Sequence, residues 1–341
     1  MVLDQPPTPP AQVVLMQLVQ GFMVAKALQT AAELGIADLV AQAPKTAEEL
    51  ATSTSTDARS LLRLLRGLAS RGIFRQDETG RFQNTPLSEA LRSDAPMSAR
   101  DYVIYAVHDG NVLAWTQLMS VLRTGEPSFA AANGTDVWGY FEQHPDVGER
   151  FNRAMTALGA GNIRLVVDAY DFSPFTTIVD VGGGEGTLLA AILARNPAAR
   201  GILFDLPAVA DSARRYLASQ GLDNRTQVMS GSIFGSIPAG GDVYILKNVL
   251  HDWPDDKALL ILERCRAAIP THGKLVIADA VMTPGNDPHP SKWFDLHMMV
   301  ALGGRERTEE EFRTLLARAG FELTSAKPLP APIGIVEAVP R

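Results

Sequence analysis

Thr177-Ile178-Val179-Asp180-Val181-Gly182-Gly183-Gly184-Glu185-Gly186-Thr187 is the stretch on which the fold turns. A short apolar run ending in glycine has the signature of a buried strand. Glycines at 182, 184 and 186 remove the side chains that would hold a ligand away from the backbone. The apolar residues 188–195 then follow with helical spacing, so the order is strand, glycine turn, helix. The same alternation continues downstream: strands at 201–204, 226–229, 242–246 and 274–278 are separated by helical patterns at 208–219 and 258–268. A closing helix at 309–319 and a hairpin at 321–325 and 333–338 complete the series. Strand and helix in alternation predict an α/β domain, a parallel sheet covered by helices on both faces.

Upstream the pattern is helical. Residues 12–34 read as one long helix in which Val13, Leu15, Met16, Leu18, Val19, Phe22, Met23, Ala27 and Leu28 leave little polar face. Such a helix needs cover on most sides, from its own chain or from a second subunit. Thr46 and Glu49 form a capping box, and Asp57 caps a leucine-striped helix at 58–71 that stops at Gly72. Two short strand patterns then flank Asp77-Glu78-Thr79-Gly80, which together predict a winged helix-turn-helix. Further helices are expected over 97–170, with turns at Gly125 and Gly134. The organisation expected is a winged-helix-like domain at 1–96, a helical connector at 97–170 and a ligand-binding domain at 171–341.

Composition narrows the function. At 341 residues, with 46% hydrophobic and 20% charged residues, the chain has the balance of a globular protein of two domains. A net charge of −7, with only Arg59, Arg63, Arg66 and Arg71 on the would-be recognition helix, argues against nucleic acid as a partner. The one cysteine, Cys265, falls in a helical pattern as a small core residue. The Pro-rich start at 1–10 lacks the features of a secretory signal, and no apolar stretch reads as long enough to span a bilayer, so no membrane partner and a cytoplasmic location are expected.

The chemistry sits at two places. Asp205, at the end of the second strand of the series, stands where a carboxylate accepts ribose hydroxyls. Dinucleotides and S-adenosylmethionine both contain a ribose. The spacing of Gly182, Gly184 and Gly186 departs from the dinucleotide fingerprint, and Asp180 would set a carboxylate near the ligand, which suits a cationic sulfonium better than a pyrophosphate. The second place is Lys247-Asn248-Val249-Leu250-His251-Asp252-Trp253-Pro254, just past the fourth strand, where ligand sites of open parallel sheets lie. His251 there is expected to offer a proton-accepting nitrogen at neutral pH, oriented by Asp279 or Glu306.

Taken together, the glycine stretch, Phe204-Asp205-Leu206-Pro207, His251-Asp252-Trp253 and Gly303-Gly304-Arg305-Glu306-Arg307-Thr308 resemble the small-molecule O-methyltransferase family. That family includes plant caffeate and flavonoid, animal acetylserotonin, and bacterial phenazine and aromatic polyketide methyltransferases. The resemblance implies a Rossmann-like class I methyltransferase sheet behind a dimerisation domain, S-adenosyl-L-methionine as donor, no metal, a homodimer, and a small aromatic acceptor from secondary metabolism. It implies His251 as general base beside Asp279 and Glu306. Gly182, Gly184, Asp205, Leu206, Ser232, Ile233 and Lys247 join Asp180 toward the donor, and Trp115, Phe151, Met155, Asp252, Met298 and Met299 face the acceptor. Two positions depart from the family: Ser232 stands where many relatives carry Asp, and Asp279 where Glu is commoner. Rival readings are a nicotinamide-dependent dehydrogenase, a DNA-binding regulator, and a relative that keeps the donor site but performs other chemistry on polyketides.

Overall fold

The central strands are almost unbroken apolar runs buried on both faces, and this sets the architecture seen in a computed structural model of the chain, which describes residues 9–331 and 333–341. The strands of the main sheet are β3 (Thr177–Val181), β4 (Arg200–Asp205), β5 (Thr226–Ser230), β6 (Val243–Lys247), β7 (Lys274–Ala278), β8 (Phe321–Ala331) and β9 (Ile333–Pro340). Two earlier strands, β1 (Phe74–Gln76) and β2 (Phe82–Asn84), pair only with each other. In space the order is β5-β4-β3-β6-β7-β9-β8, parallel through β7 and antiparallel at the last two.

Each face of this sheet has its own core. Val179, Val181, Tyr244, Leu246, Leu275 and Ile277 pack with Ala258, Ile261, Leu262, Phe312, Leu315 and Leu316 on one side. Ile178, Val243, Ile245 and Val276 pack with Leu188, Leu189, Ile192, Ala213 and Leu217 on the other. The helices Asp255–Ala268 and Glu309–Arg318 therefore cover the first face, and Thr187–Arg195 and Pro207–Ser219 the second. Burying a residue such as Ile178 or Leu262 completely stabilises the fold by roughly 1.5–3 kcal/mol each, before entropy is counted. The chain reverses its direction of growth between β3 and β6, and the crevice beyond the carboxyl ends of these neighbours is where ligands bind in such sheets.

The chain divides into two compact units, Met1–Val112 with Phe141–Leu158, and Leu113–Tyr140 with Gly159–Arg341. The segment 97–170 is thus shared between them. In the first unit the expected long helix is two, Ala11–Val19 and Gly21–Glu33, meeting at Gln20. The Thr46 capping box and the Asp57 cap both form. The Pro-rich start lies, up to residue 8, outside the described residues. One expectation needs correction: Ala11–Glu33, 23 residues with mean hydropathy 1.4, is long and apolar enough to cross a bilayer by length and composition. Val13, Leu15, Met16, Leu18, Val19, Phe22 and Met23 all stand exposed on it.

Candidate active site

In the second unit, the donor side of the crevice is made by backbone shape. Gly182, Gly184 and Gly186 all take positive φ, at 71°, 57° and 85°. A β-carbon on Gly182 would also lie 2.8 Å from Val249 Cγ2, so the glycine turn after β3 and the loop after β6 touch directly. Asp205 ends β4 and accepts two backbone N–H groups, from Gly184 at 2.7 Å and Leu206 at 2.6 Å. Each carboxylate oxygen keeps a further lone pair for a ligand hydroxyl. Leu206 beside it is exposed, a free apolar surface at the rim.

Asp180 is buried under the turn with Oδ2 unpartnered among the described residues. Burial raises its pKa to about 7, assisted by Asp205 and opposed by the Lys247 ammonium. Burial likewise lowers the Lys247 pKa, with Asp180 and Asp279 pulling the other way. Ile233 packs against the core, and Ser232 is exposed with its Oγ accepting from Phe234 N at 3.3 Å, a contact within its own loop.

The other side of the crevice is made by side chains. Asn248 adopts φ 54°, a left-handed conformation that asparagine tolerates better than most residues, and it turns the chain from β6 into a helical turn at Leu250–Asp252. His251 is buried in that turn, and its Nδ1 lies 2.9 Å from Glu306 Oε1. Its Nε2 lies 3.4 Å from Asp252 Oδ1. Burial alone would lower the His251 pKa, but Asp252, Glu306 and Asp279 outweigh it and raise it to about 10. Surrounded by these carboxylates, the imidazole favours its protonated form more than an ordinary histidine does. Asp279 makes no side-chain hydrogen bond among the described residues, and both its oxygens are buried. It acts on His251 through charge, not contact.

Several supporting residues are given no role of their own by the sequence. Arg307, buried beneath the loop, donates to Leu250 O at 3.0 Å, to Trp253 O at 3.0 Å and to Asp255. Gly304 lets its segment pass so close to the Leu250–Asp252 turn that a β-carbon would lie 2.0 Å from His251 O. Asp295 accepts from Glu306 N at 2.8 Å. It lies on the helix Pro290–Ala301, which no sequence pattern predicts and which also carries Phe294, His297, Met298 and Met299. Phe294 sits 5.8 Å from the His251 ring, and His297 accepts a hydrogen bond from Trp115 Nε1 at 3.2 Å. Phe151 and Met155 belong to the first unit, where Phe151 stacks on Phe141 at 5.0 Å. The glycine turn, His251, Glu306 and His297 all belong to the second unit.

Comparison with known proteins gives the family. Residues 115–322 match the model of the O-methyltransferase domain, and residues 16–94 that of the O-methyltransferase dimerisation domain. The chain is an O-methyltransferase.

Among its relatives is the phenazine O-methyltransferase PhzM of Lysobacter antibioticus, 46% identical over 97% of both chains. The crystal structure of LaPhzM superposes on the methyltransferase with a TM-score of 0.91, at 46% identity, covering 98% of this chain and 100% of the other. The structure of NcsB1 from neocarzinostatin biosynthesis, in complex with S-adenosylmethionine and 2-hydroxy-5-methyl naphthoic acid, gives a TM-score of 0.83 at 34% identity, over 93% and 96% of the two chains.

S-adenosylmethionine is the methyltransferase's cofactor, and the residues present fit it. Three positive-φ glycines clear the backbone, Asp205 keeps free lone pairs, and the acidic surroundings suit a sulfonium. The dimerisation match also gives the exposed apolar helices of the first unit a purpose other than a bilayer.

Proposed function

We propose that this enzyme methylates a hydroxyl on a flat, fused-ring aromatic acceptor of secondary metabolism, with His251 taking the hydroxyl proton, and that it works as a homodimer. The observation carrying the reading is the buried His251–Glu306 pair, 2.9 Å apart, beyond β6 and against the glycine turn. Bound S-adenosylmethionine supplies an activated methyl group that is displaced in line. The protein's tasks are to align the acceptor oxygen, exclude water and receive a proton. His251 Nε2 faces Asp252 Oδ1 at 3.4 Å, and an acceptor hydroxyl would take the place of Asp252 there. Glu306 on Nδ1 stabilises the imidazolium that forms, and Asp279 adds its charge without moving.

The carboxylates around His251 favour its protonated form, so turnover draws on the neutral fraction. A sulfonium in the crevice offsets the carboxylates and enlarges that fraction. Trp115, Met298 and Met299 supply apolar surface on the acceptor side, while Gly182, Gly184, Asp205, Leu206, Ile233 and Lys247 face the donor. Asp180 and Ser232 act from beneath and from the rim. Incubation with methyl-labelled donor and a panel of hydroxylated naphthalenes, anthraquinones and phenazines, followed by mass spectrometry and NMR of the products, tests the reading. An O-methyl product supports it; methyl on nitrogen, or an oxygenated product without methyl, contradicts it. Light scattering tests the dimer, which an active soluble monomer would rule out.

A further inference from the structure

His297 is marked by no sequence pattern, and its surroundings define its chemistry. Trp115 Nε1 can only donate a hydrogen bond, and it points at His297 Nδ1 across 3.2 Å. The two rings are coplanar within 7° with centroids 6.4 Å apart, so the indole N–H meets the in-plane lone pair of Nδ1 edge to edge. Nδ1 is then the unprotonated nitrogen, and the ring proton sits on Nε2. Burial pushes the His297 pKa down to about 4, so the ring stays neutral through the working range. His297 is half-buried, and its hydrogen bond among the described residues is the one from Trp115 to Nδ1, which leaves Nε2–H available to a ligand.

The pair is held rigidly. Buried Ser128 donates its hydroxyl to Ala114 O at 2.8 Å, next to Trp115, and its backbone N–H to Val300 O at 3.0 Å, one turn beyond His297. Phe294, three residues before His297 on the same helix face, touches both histidines, with its centroid 6.1 Å from His297 and 5.8 Å from His251. A flat molecule whose hydroxyl reaches His251 therefore runs along Phe294 toward His297.

We propose that His297, locked by Trp115 as an Nε2–H donor, selects acceptors carrying a neutral hydrogen-bond-accepting atom, a ring nitrogen or a carbonyl oxygen, away from the methylated hydroxyl. This rests on the aromatic-hydroxyl reading above. Neutral groups are favoured because desolvation alone keeps the His297 ring uncharged, and a carboxylate brought beside it would be disfavoured by the same desolvation. Bound substrate covers the half-buried Nε2–H, and a substrate lacking that atom would leave this donor unpaired, which is what produces the selection.

The test compares 1-hydroxyphenazine with 1-hydroxyanthracene, which has the same outline with CH in place of each ring nitrogen. The wild-type enzyme is expected to favour the phenazine in kcat/KM by about 10- to 100-fold. His297→Phe should abolish that preference, mainly by slowing the phenazine, while calorimetric binding of S-adenosylhomocysteine stays unchanged. His297→Gln, which returns an N–H near the position of Nε2, should restore most of the preference. Equal losses on both compounds in His297→Phe, or no rescue by His297→Gln, would show a packing role and overturn the proposal. A wild-type enzyme that methylates neither compound nor any other hydroxylated aromatic would instead overturn the reading beneath it.

Discussion

The two sides of the crevice are built by different means. The donor side is a contiguous stretch whose backbone takes conformations only glycine adopts freely, with one carboxylate, Asp205, hydrogen-bonded to its own and a neighbouring loop. The acceptor side is an assembly of side chains far apart in the chain: His251 and Glu306 are 55 residues apart, and Trp115 and His297 are 182 apart. Backbone-built sites show in a sequence because the glycines must be adjacent. Side-chain-built sites show only when the fold brings them together. Their electrostatics differ as well, since the donor side sets half-exposed Asp205 and buried Asp180 against the Lys247 ammonium while the acceptor side buries several carboxylates around one imidazole.

If the two sides are separate in function as they are in construction, substitutions should separate them. His251→Ala has the largest expected effect: turnover falls by roughly 10²–10⁴-fold, the span for loss of a positioned base. Donor affinity, measured by calorimetry with S-adenosylhomocysteine, stays near wild type. Equal loss of both would merge the two sides into one. Gly304→Ala comes next, because its β-carbon would lie 2.0 Å from His251 O and one loop must move. About 3 kcal/mol of stability, read by thermal or denaturant unfolding, should go with most of the activity. Unchanged unfolding would mean that the close approach does not fix the His251 loop.

Asp205→Ala gives the complementary result. Donor affinity should weaken by about 2 kcal/mol as charge-assisted hydrogen bonds are lost, and turnover at saturating donor should be kept. A fall in turnover alone would place Asp205 on the wrong side of the comparison. A smaller signal sharpens the electrostatic half. Binding of S-adenosylmethionine at pH 8, followed calorimetrically in buffers of different ionisation enthalpy, should release a fraction of a proton, because a sulfonium lowers the raised His251 pKa. Binding of neutral S-adenosylhomocysteine should release less. Equal release by both would mean that the donor's charge does not reach the imidazole.

Local rules make much of the fold legible in the sequence. The strands of the parallel sheet, the capping box at Thr46, the Asp57 cap and the glycine turn all follow from them, and each forms close to where its residues place it. The long first helix is divided at Gln20 only by a turn that keeps a right-handed helical backbone, with Gln20 N bonded to Met16 O and Val24 N to Gln20 O. The helix Pro290–Ala301 leaves no clear trace in the sequence, since its apolar and polar residues are interleaved around the site and no single stripe marks it. His251 and Glu306 can be named from the sequence, but not their 2.9 Å contact. Nor can the protonation state be read there, because it depends on how many carboxylates packing gathers around one ring. Arg307 looks like one more charge in a polar segment, and only its burial against the carbonyls of Leu250 and Trp253 shows that it holds the loop.

The pH dependence of kcat/KM, in the wild type and in Glu306→Gln, bears most directly on the claim that His251 is a base whose proton is held by surrounding carboxylates. A base must be neutral, so activity should rise with pH through the His251 pKa. That pKa is raised, which places the midpoint of the acid limb above the ordinary imidazole value of about 6.5. Removing the Glu306 charge removes one of the groups that raise it, so the limb in Glu306→Gln should move to lower pH even as the rate falls. A wild-type midpoint at or below the ordinary imidazole value, or one that Glu306→Gln leaves in place, would contradict the account.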